Sequence, residues 1–138
     1  FERISIPDYI RSMVAYVSST MNRRDVNILF DVVPGFMNID KAIPIGLILT
    51  EVLTNCYRHA FPDGREGEIE VKLSLQDGIK DHHLLIRDNG TGLPFEYNPD
   101  NVQTMGLTIV NLLSGQLDGD LTILSEAGVS VSLDFRLN

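Results

Sequence analysis

One stretch, from residue 40 to about residue 61, limits what this chain can fold into more than any other part of the sequence. Its apolar residues are so frequent that a helix formed here must bury most of its surface. Asp40 is placed to be the N-cap of that helix, and Pro62-Asp63-Gly64 is placed to stop it. The apolar residues that we expect to bury the helix are Ile43, Ile45, Leu47, Ile48, Leu49, Val52 and Leu53.

Three polar residues, Glu51, Asn55 and Arg58, interrupt this apolar helix. At about 100° per residue, a helix places them in a narrow stripe on one face. Buried polar groups of both signs are costly unless they are paired. The helix alone therefore supports two interpretations, a satisfied polar network or a ligand-binding face.

The remaining segments alternate between helical and strand periodicity, which gives the order α-β-α-β-β-α-β-β. The other predicted helices cover residues 7 to about 23 and about 104 to 117. The predicted strands are 26–33, 68–75, 83–87, 121–124 and 129–137. Residues 96–103 are polar and aperiodic, and we interpret them as a mobile loop.

These elements predict an α+β fold, a two-layer α/β sandwich. Tight turns join most neighbouring strands, so the sheet must be mixed and mostly antiparallel, with about five strands. Three amphipathic helices can cover one face of such a sheet efficiently. Because 138 residues is close to the usual length of one domain, we expect residues 1–138 to form a single domain.

Composition excludes several classes of partner. With 11 Lys plus Arg and 19 Asp plus Glu, the formal charge is −8, which argues against nonspecific binding to nucleic acid or anionic lipid. No apolar run reaches the roughly 20 residues that cross a bilayer, so we expect no direct membrane contact. Cys56 is the single cysteine, which excludes an internal disulfide and suits the cytoplasm.

A second candidate segment, Asp88-Asn89-Gly90-Thr91-Gly92, directly follows a buried strand. Its two glycines allow a flat ligand to approach the backbone closely. A carboxylate at Asp88 could accept a hydrogen bond from an exocyclic amine such as that of adenine. The alternative is an ordinary turn capped by the aspartate, which the segment taken alone favours.

A third segment, Thr104-Met105-Gly106-Leu107, opens the last helix. Free backbone N–H groups at a helix N-terminus form an anion site. The alternative is that Thr104 is only an N-cap.

Together the three segments resemble the GHKL ATPases, which comprise type II topoisomerase and mismatch-repair ATPases, heat-shock chaperones and sensor histidine kinases. Glu51-x-x-x-Asn55 is similar to their N box, Asp88-x-Gly90-x-Gly92 to their G1 box, and Met105-Gly106-Leu107 to their G2 box. The sequence is most similar to the ATP-binding catalytic domain of two-component histidine kinases, in the group with a short lid. The resemblance implies the Bergerat type of α/β sandwich.

The resemblance also implies ATP and Mg²⁺ as ligands. Asn55 would bind Mg²⁺ bridging the phosphates, and Arg58 would contact a phosphate. Asp88 would accept from the adenine amino group, with Gly90 and Gly92 beside the base. Glu51 would either act as a base towards the incoming group or hold Asn55 and the metal in place.

The phosphate contacts implied by the resemblance lie mainly in the last helix. They come from Thr104, Met105, Gly106 and Leu107. His59 is interpreted as a supporting residue of the ATP site rather than a phosphate acceptor.

Two features depart from the family pattern. The last strand begins with Gly128-Val129 where relatives often have Gly-Thr, so the hydrogen bond that fixes adenine is missing or comes from Ser130. The lid, between Pro94 and Thr104, is also short.

The resemblance implies a cytoplasmic phosphotransferase module of two-component signalling, and one form of such a module is the cytoplasmic part of a membrane-anchored sensor. The γ-phosphoryl group of ATP would pass to a histidine on a dimerisation domain upstream of residue 1, and from there indirectly to a response regulator. His82 and His83 are interpreted as residues of a solvated turn or strand edge. The alternatives are an anti-sigma-factor-like serine kinase and a nucleotide-sensing module without turnover.

Overall fold

A computed structural model describes residues 3–92 and 105–137 of the chain. Within this part, three α-helices and seven strands are present. The helices are α1 (Ile6–Met21), α2 (Ile39–Asn55) and α3 (Met105–Gln116). The strands are β1 (Ile4–Ser5), β2 (Val26–Val32), β3 (Phe36–Met37), β4 (Gly67–Leu75), β5 (His82–Asp88), β6 (Asp120–Ser125) and β7 (Val129–Phe135). The predicted loop over residues 96–103 lies outside the described residues.

The main sheet has five strands in the order β2-β4-β5-β7-β6. The pair β2 and β4 is parallel, and the other three pairs are antiparallel. Side chains along each strand point alternately to the core side and to the open side of the sheet. On β4, Ile69, Val71 and Leu73 are fully buried, while Glu68 is exposed. The predicted mixed, mostly antiparallel sheet covered on one face by helices is confirmed.

The starts of the helices follow their capping residues. Ser5 caps α1, since its Oγ accepts a hydrogen bond from the Asp8 N–H at 3.5 Å. Asn38, not Asp40, caps α2, with its Oδ1 accepting from the Lys41 N–H at 3.3 Å. The Asp40 prediction is wrong because the backbone is already helical at residue 39, which places Asp40 inside the first turn.

The C-terminal end of α2 differs from the predicted continuous helix. The α-helix ends at Asn55, a single π-helical turn covers Cys56–Ala60, and a 3₁₀ turn follows at Pro62–Gly64. Arg23 holds this end, because its Nη2 donates to the Phe61 carbonyl at 3.0 Å while its Nε pairs with Asp25 at 2.9 Å. The wider turn displaces Arg58 from the regular helical stripe, and its side chain is exposed.

One side of α2 is not buried. Ile43 and Leu47, which we expected to help bury the helix, are 52% and 48% exposed, and Ile39 before them is 53% exposed. The buried residues of α2 face α1, α3 and the sheet instead. None of the helices in the described ranges is long and apolar enough to cross a membrane.

Candidate functional site

The N-terminus of α3 lies directly against the polar residues of α2. A Cβ atom added at Gly106 would lie 2.9 Å from Glu51 Oε2 and 3.4 Å from Asn55 Nδ2. The absence of a side chain at Gly106 lets the first turn of α3 lie this close to the two side chains, and a Cβ atom would require the Glu51 carboxylate to shift. The first N–H groups of an α-helix have no partner within the helix, so an acid, an amide and a helix N-terminus meet here. Such a set of groups can bind an anion together with a cation.

Asp88 lies at the end of β5 and is 5% exposed. Its Oδ1 accepts hydrogen bonds from the backbone N–H groups of Gly90 at 2.9 Å and Val129 at 3.1 Å. Two backbone donors fix the orientation of the carboxylate. The structure therefore presents an oriented acceptor at the position predicted to contact adenine.

Cys56 connects these two groups of residues. It follows Asn55 directly and is almost completely buried. Burial raises the pKa of the Cys56 thiol well above its usual value, and the adjacent Asp88 carboxylate raises it further through its charge and its hydrogen bond with the thiol. The thiol therefore stays protonated at neutral pH and donates to Asp88, which links the end of α2 to the end of β5.

The G1-like segment is also bound to the turn that follows α2. The Thr91 N–H donates to the Ala60 carbonyl at 3.0 Å, and the Thr91 hydroxyl donates to the His59 carbonyl at 3.3 Å. Gly90 packs so tightly here that a Cβ atom would lie 2.3 Å from Ala60 Cβ. The three segments singled out in the sequence therefore come together at one end of the helical layer.

The β6–β7 turn completes the surroundings of Asp88. Gly128 has φ +120°, and a Cβ atom there would lie 2.2 Å from the Asp88 carbonyl oxygen. Both the backbone conformation and the contact require glycine. Gly92, with φ +86°, approaches the same turn at Ser125. The sequence analysis named Gly128 only as part of a family pattern. Its contact with Asp88 could not be predicted, because that contact depends on the register of the sheet.

Val129 stands where relatives often have threonine, but the Asp88 carboxylate still receives a hydrogen bond from this position. The Val129 backbone N–H, rather than a side chain, donates to the carboxylate. Ser130 pairs with Arg87 in the strand register and so lies on the open face of the sheet, whereas Asp88 follows the buried alternation of β5. The contact of Ser130 with a nucleotide stays a prediction.

The other predicted site residues differ in exposure. Glu51 and Asn55 are half-buried, Arg58 and His59 are exposed, and Leu107 is buried. Met105 is the first residue of α3. Thr104 and the lid to its N-terminal side lie outside the described residues.

The interpretation of His82 and His83 as solvated residues is wrong for His82. It belongs to β5, which lies between β4 and β7, and it is 6% exposed. Its Nδ1 lies 2.7 Å from Asp81 Oδ1 and its ring contacts Phe135. His83 is partly buried on the open face, with its Nδ1 2.7 Å from Asp134 Oδ1. The apolar alternation of the strand begins one residue earlier than predicted, which buries His82.

A shallow cavity of about 330 Å³ lies on the open face of the sheet, at the strand ends. Its lining residues include Leu29, Glu70, Arg87, Ser130 and Asp88 itself. Neither Glu51 nor Asn55 lines this cavity. It is therefore separate from the cluster between α2 and α3.

The cluster fits a magnesium ion shared with phosphate better than a metal held by protein alone. Among the described residues, no group of three or more His, Cys, Asp or Glu side chains could hold a metal ion. The Asn55 amide and the Glu51 carboxylate offer hard oxygen donors beside an anion-binding helix end. Mg²⁺ prefers oxygen ligands and often takes few from the protein and several from phosphate and water.

Comparisons with known proteins agree with this geometry. Residues 40–138 match the family described as histidine kinase-, DNA gyrase B- and HSP90-like ATPase. Blue-light-activated histidine kinase 2 of Erythrobacter litoralis is 30% identical over 129 residues, covering 88% of this chain and 36% of that protein. The chain thus spans about a third of the length of this curated relative. The anti-sigma F factor of Bacillus licheniformis is 26% identical over 110 residues, covering 72% of this chain and 73% of that protein.

A similar fold occurs in a solved structure. The histidine kinase domain of the Erythrobacter litoralis EL346 blue-light-activated histidine kinase superposes with a TM-score of 0.88 and 25% identity. The superposition covers 97% of this chain and 62% of that domain.

Proposed function

Because this chain belongs to the family of histidine kinase-, DNA gyrase B- and HSP90-like ATPases, we propose that it is the ATP-binding catalytic domain of a sensor histidine kinase. It binds ATP with Mg²⁺ and transfers the γ-phosphoryl group to a histidine of two-component signalling, in the cytoplasm. The observation that carries this proposal is the contact of Gly106 with Glu51 and Asn55. In this proposal that contact brings together an acidic side chain, a magnesium ligand and a phosphate-binding helix end.

The two ends of ATP have different partners in this proposal. Asp88 accepts a hydrogen bond from the adenine amino group, since its carboxylate is oriented by two backbone N–H groups. The N–H groups at the start of α3 bind phosphate oxygens. Asn55 holds Mg²⁺, which offsets phosphate charge when bound. Exposed Arg58 is free to approach the phosphates from the solvent side.

Phosphoryl transfer then requires mainly positioning and charge stabilisation. An imidazole nitrogen forms a bond to the γ-phosphorus as the bond to the ADP oxygen breaks, and ADP leaves. Glu51, half-buried beside the helix end, orients the imidazole or accepts the proton that it loses.

The acceptor histidine lies outside residues 1–138 in this proposal. His82 is buried against Phe135, and His83 is held by Asp134 on the open face, on the other side of the sheet from Glu51. His59 follows Arg58 in the turn after α2 and so belongs to the ATP site itself. We therefore assign the acceptor to a separate dimerisation domain of a longer polypeptide.

The direct test is incubation of the complete polypeptide with labelled ATP and Mg²⁺. Acid-labile, base-stable phosphate on the polypeptide is the expected product. Acid-stable phosphoserine on a partner protein would instead favour an anti-sigma-like serine kinase, a second candidate that the similarity to anti-sigma F factor supports. Nucleotide binding without any transfer would favour a sensing module.

A further inference from the structure

The connection between α1 and β2 carries an arginine, Arg23, that contacts the chain after α2 at two points. Its Nη2 donates to the Phe61 carbonyl at 3.0 Å and to the Arg65 carbonyl at 3.3 Å. The same guanidinium pairs with the Asp25 carboxylate through two hydrogen bonds, of 2.9 Å and 3.0 Å. A planar guanidinium can serve a carboxylate and two carbonyls at once, which an ammonium group on a flexible chain cannot. Arg23 therefore fixes two carbonyls, one on each side of the 3₁₀ turn at Pro62–Gly64.

The π-helical turn over Cys56–Ala60 depends on a contact of this kind. Such turns are rare in proteins and interrupt the regular ladder of the helix that precedes them. Within this turn the Tyr57 hydroxyl is buried, and it has no hydrogen-bond partner among the described residues. A buried hydroxyl without a partner destabilises the turn. The hydrogen bonds that Arg23 donates just beyond the turn offset this cost and keep its geometry.

The π-helical turn anchors one flank of the G1-like segment, residues 88–92. Ala60, directly before Phe61, accepts a hydrogen bond from the Thr91 N–H at 3.0 Å. The His59 carbonyl accepts from the Thr91 hydroxyl at 3.3 Å. A shift of the Phe61 carbonyl would therefore move both acceptors of Thr91.

Arg65 anchors the other flank of the same segment. Its Nη2 donates to the Asn89 carbonyl at 3.2 Å, while its own carbonyl accepts from Arg23. The Asn89 side chain is held in turn, because its Oδ1 accepts from the Glu68 N–H at 2.8 Å. Both neighbours of Gly90 are thus tied to groups that Arg23 holds.

Gly90 passes this constraint to the adenine end of the candidate site. Its N–H donates to Asp88 Oδ1 at 2.9 Å, so the carboxylate is oriented by a group that lies between the two anchored flanks. A displacement of about 1 Å at a recognition group is enough to lower its effect strongly. The hydrogen bonds of Arg23 within the described ranges go to Asp25, Phe61 and Arg65, none of which is a predicted ligand contact.

We infer that Arg23 is a positioning residue for recognition of the adenine base. It holds the turn after α2 and Arg65, and through them both flanks of the G1-like segment, so that the Gly90 N–H keeps Asp88 in place. This inference rests on the proposed function. It extends the determinants of base selectivity to the connection between α1 and β2, outside all three segments singled out in the sequence.

The test compares Arg23→Ala with Arg24→Ala, its exposed neighbour, in the complete polypeptide. We expect Arg23→Ala to lower ATP affinity roughly tenfold and to lower the ratio of ATP to GTP affinity by roughly threefold to tenfold, while Arg24→Ala changes neither. Competition titrations are made at a temperature at which circular dichroism shows each variant to be folded. If Arg23→Ala does not fold, Arg23→Lys takes its place, since it keeps the charge beside Asp25 but lacks the planar fork.

A double-mutant cycle shows whether Arg23 acts through the G1-like segment. Thr91→Val removes the hydroxyl that donates to the His59 carbonyl. We expect Thr91→Val to lower ATP affinity less in the Arg23→Ala background than in the wild type, because both changes release the same flank. His83→Ala, on the open face, is the control partner, and its effect should be additive with that of Arg23→Ala.

The outcomes separate this inference from the proposed function. A wild-type polypeptide that fails to bind ATP would remove both. A folded Arg23 variant with a lower thermal midpoint but wild-type affinity and selectivity would show that Arg23 only stabilises the fold, and would overturn the inference alone. Equal losses of ATP and GTP affinity, or additive effects of Arg23→Ala and Thr91→Val, would overturn it as well.

Discussion

Around Asp88 the candidate site is built from backbone, whereas around Asn55 it is built from side chains. The Asp88 carboxylate is buried and oriented by the N–H groups of Gly90 and Val129, with Gly128 pressed against its carbonyl. Glu51 and Asn55 are half-buried, and Arg58 is exposed. The first end is held by backbone hydrogen bonds, and the second consists of partly or fully exposed side chains.

We expect the two ends to have different tasks: the Asp88 end selects the base, and the Asn55 end binds Mg²⁺ and phosphate for the reaction. A backbone-held carboxylate loses little conformational entropy on binding and can discriminate between bases. Side-chain groups at the phosphate end can adjust as Mg²⁺ and phosphate arrive. We therefore expect changes near Asp88 to affect the fold and base selectivity, and changes near Asn55 to affect ligand binding alone.

The largest expected effect comes from Gly128→Ala. The positive φ of Gly128 and the clash that an added Cβ atom would have with the Asp88 carbonyl oxygen make any side chain here untenable. We expect the free energy of unfolding to fall by about 2–4 kcal/mol, with ATP binding lost as Asp88 shifts. Chemical denaturation and nucleotide titration measure both quantities.

Gly78→Ala is the control for Gly128→Ala. Gly78 has φ +111° but no atom within 4 Å of an added Cβ, so the variant isolates backbone strain, at about 1 kcal/mol. Equal losses in the two variants would show that contact with Asp88 is unimportant.

Asn55→Ala tests the end of the candidate site that is built from side chains. We expect a loss of at least about 100-fold in Mg²⁺-dependent nucleotide affinity, corresponding to roughly 2–3 kcal/mol, because the metal ligand is removed. The thermal midpoint should change little, since the residue is half-buried beside a cleft. Thr54→Ala, at the neighbouring half-buried position, is the control. Unchanged affinity in Asn55→Ala would show that the metal assignment is wrong.

Asp88→Asn sharpens the comparison at the adenine end. The amide keeps an acceptor oxygen for the backbone donors but can also donate where the carboxylate cannot. We expect ATP affinity to fall by roughly tenfold, about 1.4 kcal/mol, and discrimination against GTP to relax. Competition titrations with both nucleotides measure this. Unaltered selectivity would count against an adenine contact.

Cys56 provides a pH test of the link between the two ends. Its pKa is raised in the folded state, so the stabilisation is complete below the ordinary thiol pKa of about 8.5 and is lost as pH rises above it. Denaturation at pH 7 and at higher pH should show the free energy of unfolding falling in this window. Cys56→Ala should remove this dependence of the free energy of unfolding on pH. Fast alkylation of the folded protein at pH 8 would contradict the buried, protonated thiol.

The smallest effect is expected on the open face. The hydrogen bond with His83, and after it the one with Gln76, lowers the pKa of Asp134. A lowered carboxyl pKa stabilises the fold above the unfolded value of about 4, and that contribution disappears as pH falls through the folded value. His83→Ala should therefore lower the free energy of unfolding by roughly 0.2–1 kcal/mol at neutral pH and leave ATP affinity unchanged. An altered affinity would mean that the two faces of the sheet are coupled.

The fold was predictable because its periodicities are strong. On β4 and β7 the alternation of apolar and polar residues assigns one face to the core, and the structure has that alternation. The two-residue strands β1 and β3 were missed, since two residues carry no periodicity. Asn38 was missed as a cap because Asp40 is equally suitable by residue type, and only the backbone distinguishes them.

The candidate site was predictable in its parts but not in its contacts. The sequence singled out Asn55, Asp88 and Gly106, yet the distances between them depend on the tertiary packing of α2, β5 and α3. The donation from the Val129 N–H and the role of Cys56 depend on strand register and burial, which residue types do not encode. The exposure of Ile43 and Leu47 escaped prediction because apolar content alone does not show which side of a helix is covered.

The parallel pairing of β2 with β4 has a consequence for insertions and deletions. Helix α2 is the crossover between these two strands, whose register is fixed from Val26–Gly67 to Val32–Leu73. One residue inserted within α2 would rotate Asn55 by about 100° relative to the start of the helix. Length variation in this part of the chain should therefore be confined to the connections before residue 39 and after residue 61, and homologues of different length would keep the helix itself constant.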